Sequence, residues 1–157
     1  MSKQSAVERA ALAAQEFGAA ADLVDEAAAA AFGINRTDLR IAGAVWEHGA
    51  LTAGQVAAAV HLSPAAVTTA VQRLVARGYL TRRVDASDRR RAVVELTESA
   101  RALIAQVYGP VGDAGVVELQ RFSAPELAVI ADFLERGRVV QLAQAERIRG
   151  LADQALP

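Results

Sequence analysis

The hydrophobic period of this chain changes at Gly78, and that change restricts the available folds more than any other feature. Upstream, Val67, Ala70, Val71, Leu74 and Val75 recur at helical spacing. Downstream, Tyr79, Leu80 and Val84, then Val93, Val94 and Leu96, are strand-forming residues on either side of a polar segment that begins at Asp85. The pattern predicts a helix, a turn and two antiparallel strands joined by a hairpin tip. Ser63 is a good N-cap, and Pro64 suits the first helical position, where its missing N–H would be unpaired in any residue. Gly78 suits the C′ position just beyond the helix end.

If the apolar stripe is buried, Ala65, Thr68, Thr69, Gln72 and Arg73 are turned toward solvent. That face is short, polar and uncharged except for Arg73. Gln can pair with adenine and Arg with guanine, while Thr can hydrogen-bond or touch a thymine methyl, so the face suits base edges in a major groove. The hairpin tip, DASDRRR, ends in Arg89, Arg90 and Arg91. Between Arg73 and Arg91 seven Arg stand against Asp85 and Asp88, a local +5 in a chain of net charge -1, so the remainder carries -6. Positive charge gathered on a near-neutral protein is the electrostatic footprint of a nucleic-acid surface. Taken alone, an Arg run is equally well a solvated surface. Beside a helix with an uncharged polar face, the DNA reading prevails.

The segments before this helix fit the same unit. Thr52-Ala53-Gly54-Gln55 has the form of a capping box opening a short helix from Ala53 to about Val60, and His61 and Leu62 turn the chain into Ser63. Two short helices joined by a tight turn, the second with a polar outer face, match a helix-turn-helix. Farther back, Asn35 is a candidate N-cap with Asp38 in the first turn of a helix from Arg36 to His48, which carries Leu39, Ala42, Val45 and Trp46 and stops at Gly49. Trp46, the only Trp, reads first as a large core residue anchoring this helix. His48 complements the helix dipole, and His61 reads as a packing or phosphate-side residue.

Long helices flank the unit. From Ser5 to about Phe32, Val7, Ala10, Ala14, Phe17, Ala21, Val24 and Ala28 form one apolar stripe, most simply a dimer arm. Thr97 is the predicted N-cap of a helix from Glu98, which Gly109-Pro110 should kink or interrupt. Ser123-Ala124-Pro125-Glu126 repeats the capping-box logic before a last helix to about Gln154, with Leu127, Ile130, Leu134, Val139, Leu142 and Ile148 along one side.

Bulk composition narrows the class. The chain is 53% hydrophobic but only 4% aromatic, and Ala, Val and Leu dominate. Such helices pack closely yet bury little area each, so a second copy would add to stability. With no Cys, disulfides and thiolate chemistry are excluded, and two His are too few for a convincing zinc site, so neither metal nor cofactor is expected. No signal peptide or membrane span is apparent, and the expected location is cytoplasmic. Catalytic motifs such as a Gly-rich phosphate loop, G-x-S-x-G or H-E-x-x-H are missing, which argues against an enzyme.

In its order of helix, GYLTRR, DASDRRR and VVELT, the chain resembles the winged helix-turn-helix of the MarR (multiple antibiotic resistance regulator) transcription factors. Their wing carries a similar D-x-x-D-R-R segment before a strand ending in Leu-Thr. The core of the resemblance runs from about Arg36 to Leu103, with Ala100 standing where the family usually has Gly. It implies a mainly α fold with a small β-hairpin wing, in one MarR-like domain over residues 1–157. Residues 36–103 would form the DNA-binding lobe, and residues 1–34 and 104–157 the dimerisation helices. It implies a homodimer on double-stranded DNA at a pseudo-palindromic operator, acting as a repressor. Ser63, Pro64, Ala65, Thr68, Thr69, Gln72 and Arg73 would meet bases or phosphates, Arg89, Arg90 or Arg91 would enter the flanking minor groove, and Asp88 would orient a neighbouring Arg. It also implies a small aromatic effector, with Trp46, His48 and Tyr108 as candidate pocket residues. The competing reading is a winged-helix interaction module that does not bind DNA.

Overall fold

The computed structural model describes residues 2–84 and 91–155, with side chains as far as 151. The element order is α1 (Lys3–Phe32), α2 (Arg36–His48), β1 (Leu51–Thr52), α3 (Ala53–Val60), α4 (Pro64–Ala76), β2 (Leu80–Val84), β3 (Ala92–Leu96), α5 (Glu98–Leu119) and α6 (Ala124–Ala155). Two compact units divide the chain, residues 1–108 and residues 109–157.

In the first unit the change of period at Gly78 is realised as expected, a helix followed by an antiparallel pair. Strand β3 lies between β1 and β2, with Leu80 opposite Leu96, Arg82 opposite Val94 and Val84 opposite Ala92. The third strand, β1, is an addition to the sequence reading. Its two residues pair with Val93 and Val94, and a strand that short has no alternation for a pattern to reveal. Leu51 nonetheless buries its side chain and covers one edge of β3.

The core of this unit is aliphatic. Ile41 and Val45 of α2, Val56 and Val60 of α3, and Val67, Ala70, Val71 and Leu74 of α4 meet Leu80, Val94 and Leu96 of the sheet. Ala28, Ala29 and Phe32 bring the last turns of α1 into the same core, and Ala100 and Ile104 bring the start of α5. Trp46 is not part of it. The apolar face of α2 is set by Leu39, Ile41, Ala42 and Val45, and one step further round the helix leaves Trp46 45% exposed, so the expectation of a core anchor is corrected.

Helix ends follow from local chemistry. Helix α1 stops because Gly33 adopts φ 63°, with its N–H bonded to the Ala30 carbonyl and that of Ile34 to the Ala29 carbonyl. Helix α4 stops in the same way, through Gly78 at φ 77°. The Gly78 N–H donates to Val75 and the Tyr79 N–H to Leu74, at 3.0 and 2.9 Å, the paired bonds of a Schellman turn. Thr97 caps α5 as expected, accepting from the Ala100 N–H. Pro110 lies inside α5 without ending it, so of the expected kink or interruption the interruption does not occur. The carbonyl it deprives of a partner is that of Gln106, on an exposed stretch where water can replace the lost bond.

Much apolar surface stays open. Val7, Leu12, Phe17 and Leu23 of α1 are exposed. In the second unit no described side chain is buried, although α6 carries Val129, Phe133, Leu134, Val139, Leu142 and Ile148. That unit starts its last helix at Ala124, and one half of the expected capping box is present, the Ser123 N–H donating to Glu126 at 2.8 Å, while the Ser123 hydroxyl donates to the same carboxylate at 2.6 Å. These two bonds hold the Glu126 carboxyl below the usual carboxylate range.

Leu74 is fully buried, so Leu74→Ala should lower unfolding free energy by about 2–5 kcal/mol in urea titrations. Gly78→Ala should cost about 1–2 kcal/mol from the left-handed backbone alone.

Candidate nucleic-acid interface

A recognition surface requires a helix held firmly on one side and free on the other. The turn before α4 supplies the first constraint. Thr52 and Gln55 form the full capping box at the start of α3, the Thr52 hydroxyl accepting from the Gln55 N–H while Gln55 accepts from the Thr52 N–H at 2.9 Å. Helix α3 ends where His61 takes a left-handed conformation at φ 51°. Arg40 of α2 donates to the Val60 carbonyl at that end, at 2.6 Å. Ser63 then caps α4 by accepting from the Ala66 N–H, with Pro64 at the first position.

Val67, Ala70, Val71 and Leu74 turn inward, and Ala65, Thr68, Thr69 and Gln72 are exposed, as the periodicity predicts. Both threonine hydroxyls donate within the helix, Thr68 to the Pro64 carbonyl at 2.9 Å and Thr69 to the Ala65 carbonyl at 3.1 Å. Their oxygens keep lone pairs outward and so present acceptors, the complement of an amino group on adenine or cytosine.

Arg73 departs from the expected arrangement. Its Nε and Nη2 donate side-on to Asp38, at 2.8 and 2.6 Å. Asp38 is 1% exposed, whereas the Arg73 side chain keeps 39% of its surface. The hydrogen bond to Asp38 is the leading cause that raises the Arg73 guanidinium further above its ordinary value. Arg73 is therefore bound across to α2 instead of standing free on the solvent face. In the sequence Asp38 stands only as a first-turn acid after the Asn35 cap, and that cap is present, with Asn35 accepting from the Asp38 N–H at 2.8 Å. Nothing in a spacing of 35 residues announces the ion pair.

The wing root is fastened to the end of α4. Thr97 donates its hydroxyl to the Gly78 carbonyl at 2.7 Å and its N–H to the Tyr79 carbonyl at 3.0 Å. Tyr79 in turn donates to the Phe32 carbonyl at 2.6 Å. On the strands, Arg83 pairs with Glu95 at 2.7 Å. Arg77, Arg82 and Arg91 are exposed and have no carboxylate partner among the described residues. Asp88, Arg89 and Arg90 lie outside the described residues.

The three effector candidates are not joined by any hydrogen bond or ring contact among the described residues. Trp46 is exposed, and His48 lies 3.7 Å from Glu47. Tyr108 instead closes a network inside the first unit. It donates to Asp25 at 2.8 Å, and its ring centroid lies 6.5 Å from that of Phe32. Arg36 ties the same stretch of α1 to α2, donating to the Asp22 carbonyl and carboxylate at 2.7 and 2.8 Å. Separately, the second unit has an open apolar groove of about 410 Å³ lined by Phe122, Pro125, Glu126, Val129 and Ile130. No helix among the described residues is long and apolar enough to cross a membrane, and no cluster of metal-ligating side chains occurs among them.

A family model described as the MarR family matches residues 32–91, which run from the end of α1 into the wing. An uncharacterised HTH-type transcriptional regulator of Bacillus subtilis, YcgE, is 30% identical over 135 residues, covering 86% of this chain and 88% of that protein. Among solved structures, RV1404 of Mycobacterium tuberculosis superposes with a TM-score of 0.63 at 20% identity, covering 87% of this chain and 95% of its own. Wild-type MarR of E. coli in its apo form gives 0.57 at 20% identity, covering 80% and 94%. These structures establish likeness of fold.

Burial, then the bond to Asp25, pushes the Tyr108 phenol up to about 12 from 10. The neutral phenol is thus favoured by the fold. Stability from this group is fully present below pH 10 and is lost as pH rises from 10 to 12. Chemical denaturation across that window should show a downward slope that Tyr108→Phe flattens.

Proposed function

The chain belongs to the MarR family of transcription regulators, and from that premise we propose that it acts as a homodimer gripping a pseudo-palindromic DNA site and repressing transcription there. The observation that carries the proposal is the geometry of α4, which is anchored along one side by four buried residues and exposes Ala65, Thr68, Thr69 and Gln72 along the other. In a two-fold dimer the two copies of α4 would enter successive major grooves roughly 34–36 Å apart. Ser63 and the first-turn N–H groups of α4 would hold a phosphate. Thr68, Thr69 and Gln72 would contact bases.

Arg91 and the neighbouring Arg89 and Arg90 would approach the flanking minor groove, where narrow A·T tracts attract guanidinium groups, with Asp88 orienting one of them. The dimer would be made by α1, the later part of α5 and α6, whose apolar side chains lie open in a single copy. Residues 36–103 would then be the DNA-binding lobe, with residues 1–34 and 104–157 serving dimerisation. A regulator of this kind works where the chromosome is, in the cytoplasm.

The proposal extends to a small aromatic effector acting through Trp46, His48 or Tyr108. Such a ligand releases DNA only through its different affinity for the two conformations of the dimer.

If each subunit neutralises about four phosphates, the log-log salt dependence of operator affinity should have a slope near about -7. Duplexes selected from sheared genomic DNA serve as the probe. Replacing Arg89 and Arg90 with Ala should weaken binding to every sequence and flatten that slope, while Gln72→Ala should alter base preference at one position in each half-site. No binding at low salt would favour the interaction module instead.

A further inference from the structure

The Asp38–Arg73 pair is hard to explain as a stabilising device. A carboxylate with 1% of its surface exposed has lost nearly all its hydration, and a pair of apolar residues of similar volume in place of such an ion pair is often as stable or more so. What an apolar residue cannot do is hold a guanidinium in one orientation. The side-on contact engages Nε and Nη2 of Arg73, which leaves the Nη1 end without a hydrogen-bond partner among the described residues, on a side chain that is 39% exposed.

Where that end lies on α4 follows from helix geometry. Ala65, Thr68, Thr69 and Gln72 cluster about one line on the helix surface. At 100° per residue Arg73 is about 80° round from Ala65, on the flank between that line and the buried stripe. In a major groove the centre line faces base edges and the flanks face the backbone walls. Phosphate contacts of this type fix register without reading sequence.

We propose that Asp38 is a positioning residue for DNA binding. It holds the Nε–Nη2 edge of Arg73 so that the Nη1 end meets a backbone phosphate at the groove wall, and so keeps Arg73 from reading bases. The inference rests on the proposal that α4 lies in the major groove. It adds a residue on α2 that touches no nucleotide yet sets how α4 is seated.

The test uses the full chain with two probes, a duplex selected from genomic DNA and a panel of the same duplex with single base-pair changes. Binding by Asp38→Asn, Arg73→Lys and Arg73→Met is measured at several salt concentrations, with melting temperatures recorded for each. Arg73→Met should weaken binding about tenfold or more, by the same factor on every duplex in the panel, and reduce the salt slope by about one per subunit. Arg73→Lys should recover the slope but not the full affinity, because a lysine keeps the charge without the planar fork. Asp38→Asn should weaken binding in the wild-type background and have no further effect on DNA binding in the Arg73→Met background. If Asp38→Asn does not fold, Asp38→Leu carries the same comparison.

Three results would overturn the proposal. One is a change of preference at a single base pair on altering Arg73, which would make it a base reader. Another is independent, additive effects of Asp38 and Arg73 on affinity. The third is a lower melting temperature for Asp38→Asn with affinity and slope of the folded protein unchanged, which would leave only a structural role. Failure of the wild-type chain itself to bind any duplex at low salt would instead sink the underlying DNA-binding proposal, and this one with it.

Discussion

What this molecule can offer to DNA depends on burial of one aliphatic stripe. Val67, Ala70, Val71 and Leu74 are each almost wholly removed from solvent, and burying a Val or Leu side chain contributes about 1.5–3 kcal/mol. No polar contact on the surface of α4 approaches the sum. Because the stripe occupies one side of a 13-residue helix, the other side is committed to solvent before any functional demand is considered. The polar contacts then refine the seating. Ser63 and Pro64 set where α4 begins, the Schellman turn at Gly78 sets where it ends, and Asp38 takes hold of it from the flank through Arg73. A helix fixed at both ends and along one side has little freedom to rotate, which is what a regular outward display of side chains requires.

The same economy of small side chains explains the long helices. With Ala at so many positions, α1 and α6 have strong helical propensity and thin cross-sections, but each turn offers little area to bury. Only the last turns of α1 reach the core of the first unit, through Ala28, Ala29 and Phe32. Phe17 and Leu23 on α1, and Phe133 and Val139 on α6, remain open to water. Scattered apolar residues on a surface need no explanation, but long runs along whole helices do. The homodimer in the proposed function answers that need, since a second copy presents helices of the same length and chemistry.

Short-range chemistry made most of this legible in the sequence. The caps at Asn35, Thr52, Ser63 and Thr97 are governed by residues three positions apart, and the stripe of α4 repeats every three to four residues, so both survive in a one-dimensional pattern. Two kinds of feature are not legible in this way. For Trp46, size and apolarity suggest burial without saying which side of α2 faces inward, and the smaller Ile41 and Val45 hold that side. Pro110 does not interrupt α5 because its cost depends on whether the freed carbonyl can find water, which is a property of the surroundings. The pairs Asp38–Arg73, Arg83–Glu95 and Tyr108–Asp25 join distant segments, and no periodicity encodes them. On the candidate site this meant that the exposed face of α4 was readable while the state of its one charged member was not.

These long-range pairs also change the meaning of the charge count. Seven Arg against Asp85 and Asp88 give +5 along the sequence from Arg73 to Arg91. Among the described residues Asp38 pairs with Arg73 and Glu95 with Arg83, so two of those seven positive charges are locally compensated. Paired and unpaired arginines suit different tasks. A guanidinium held by a carboxylate has a fixed direction but little net field around it, so it contributes geometry. Arg77, Arg82 and Arg91 are exposed and have no such partner among the described residues, so in the proposed function they suit long-range attraction. Under the proposed function, attraction of a duplex from a distance and seating at contact would fall to different arginines, and the carboxylates Asp38 and Glu95 are what set Arg73 and Arg83 apart from the others.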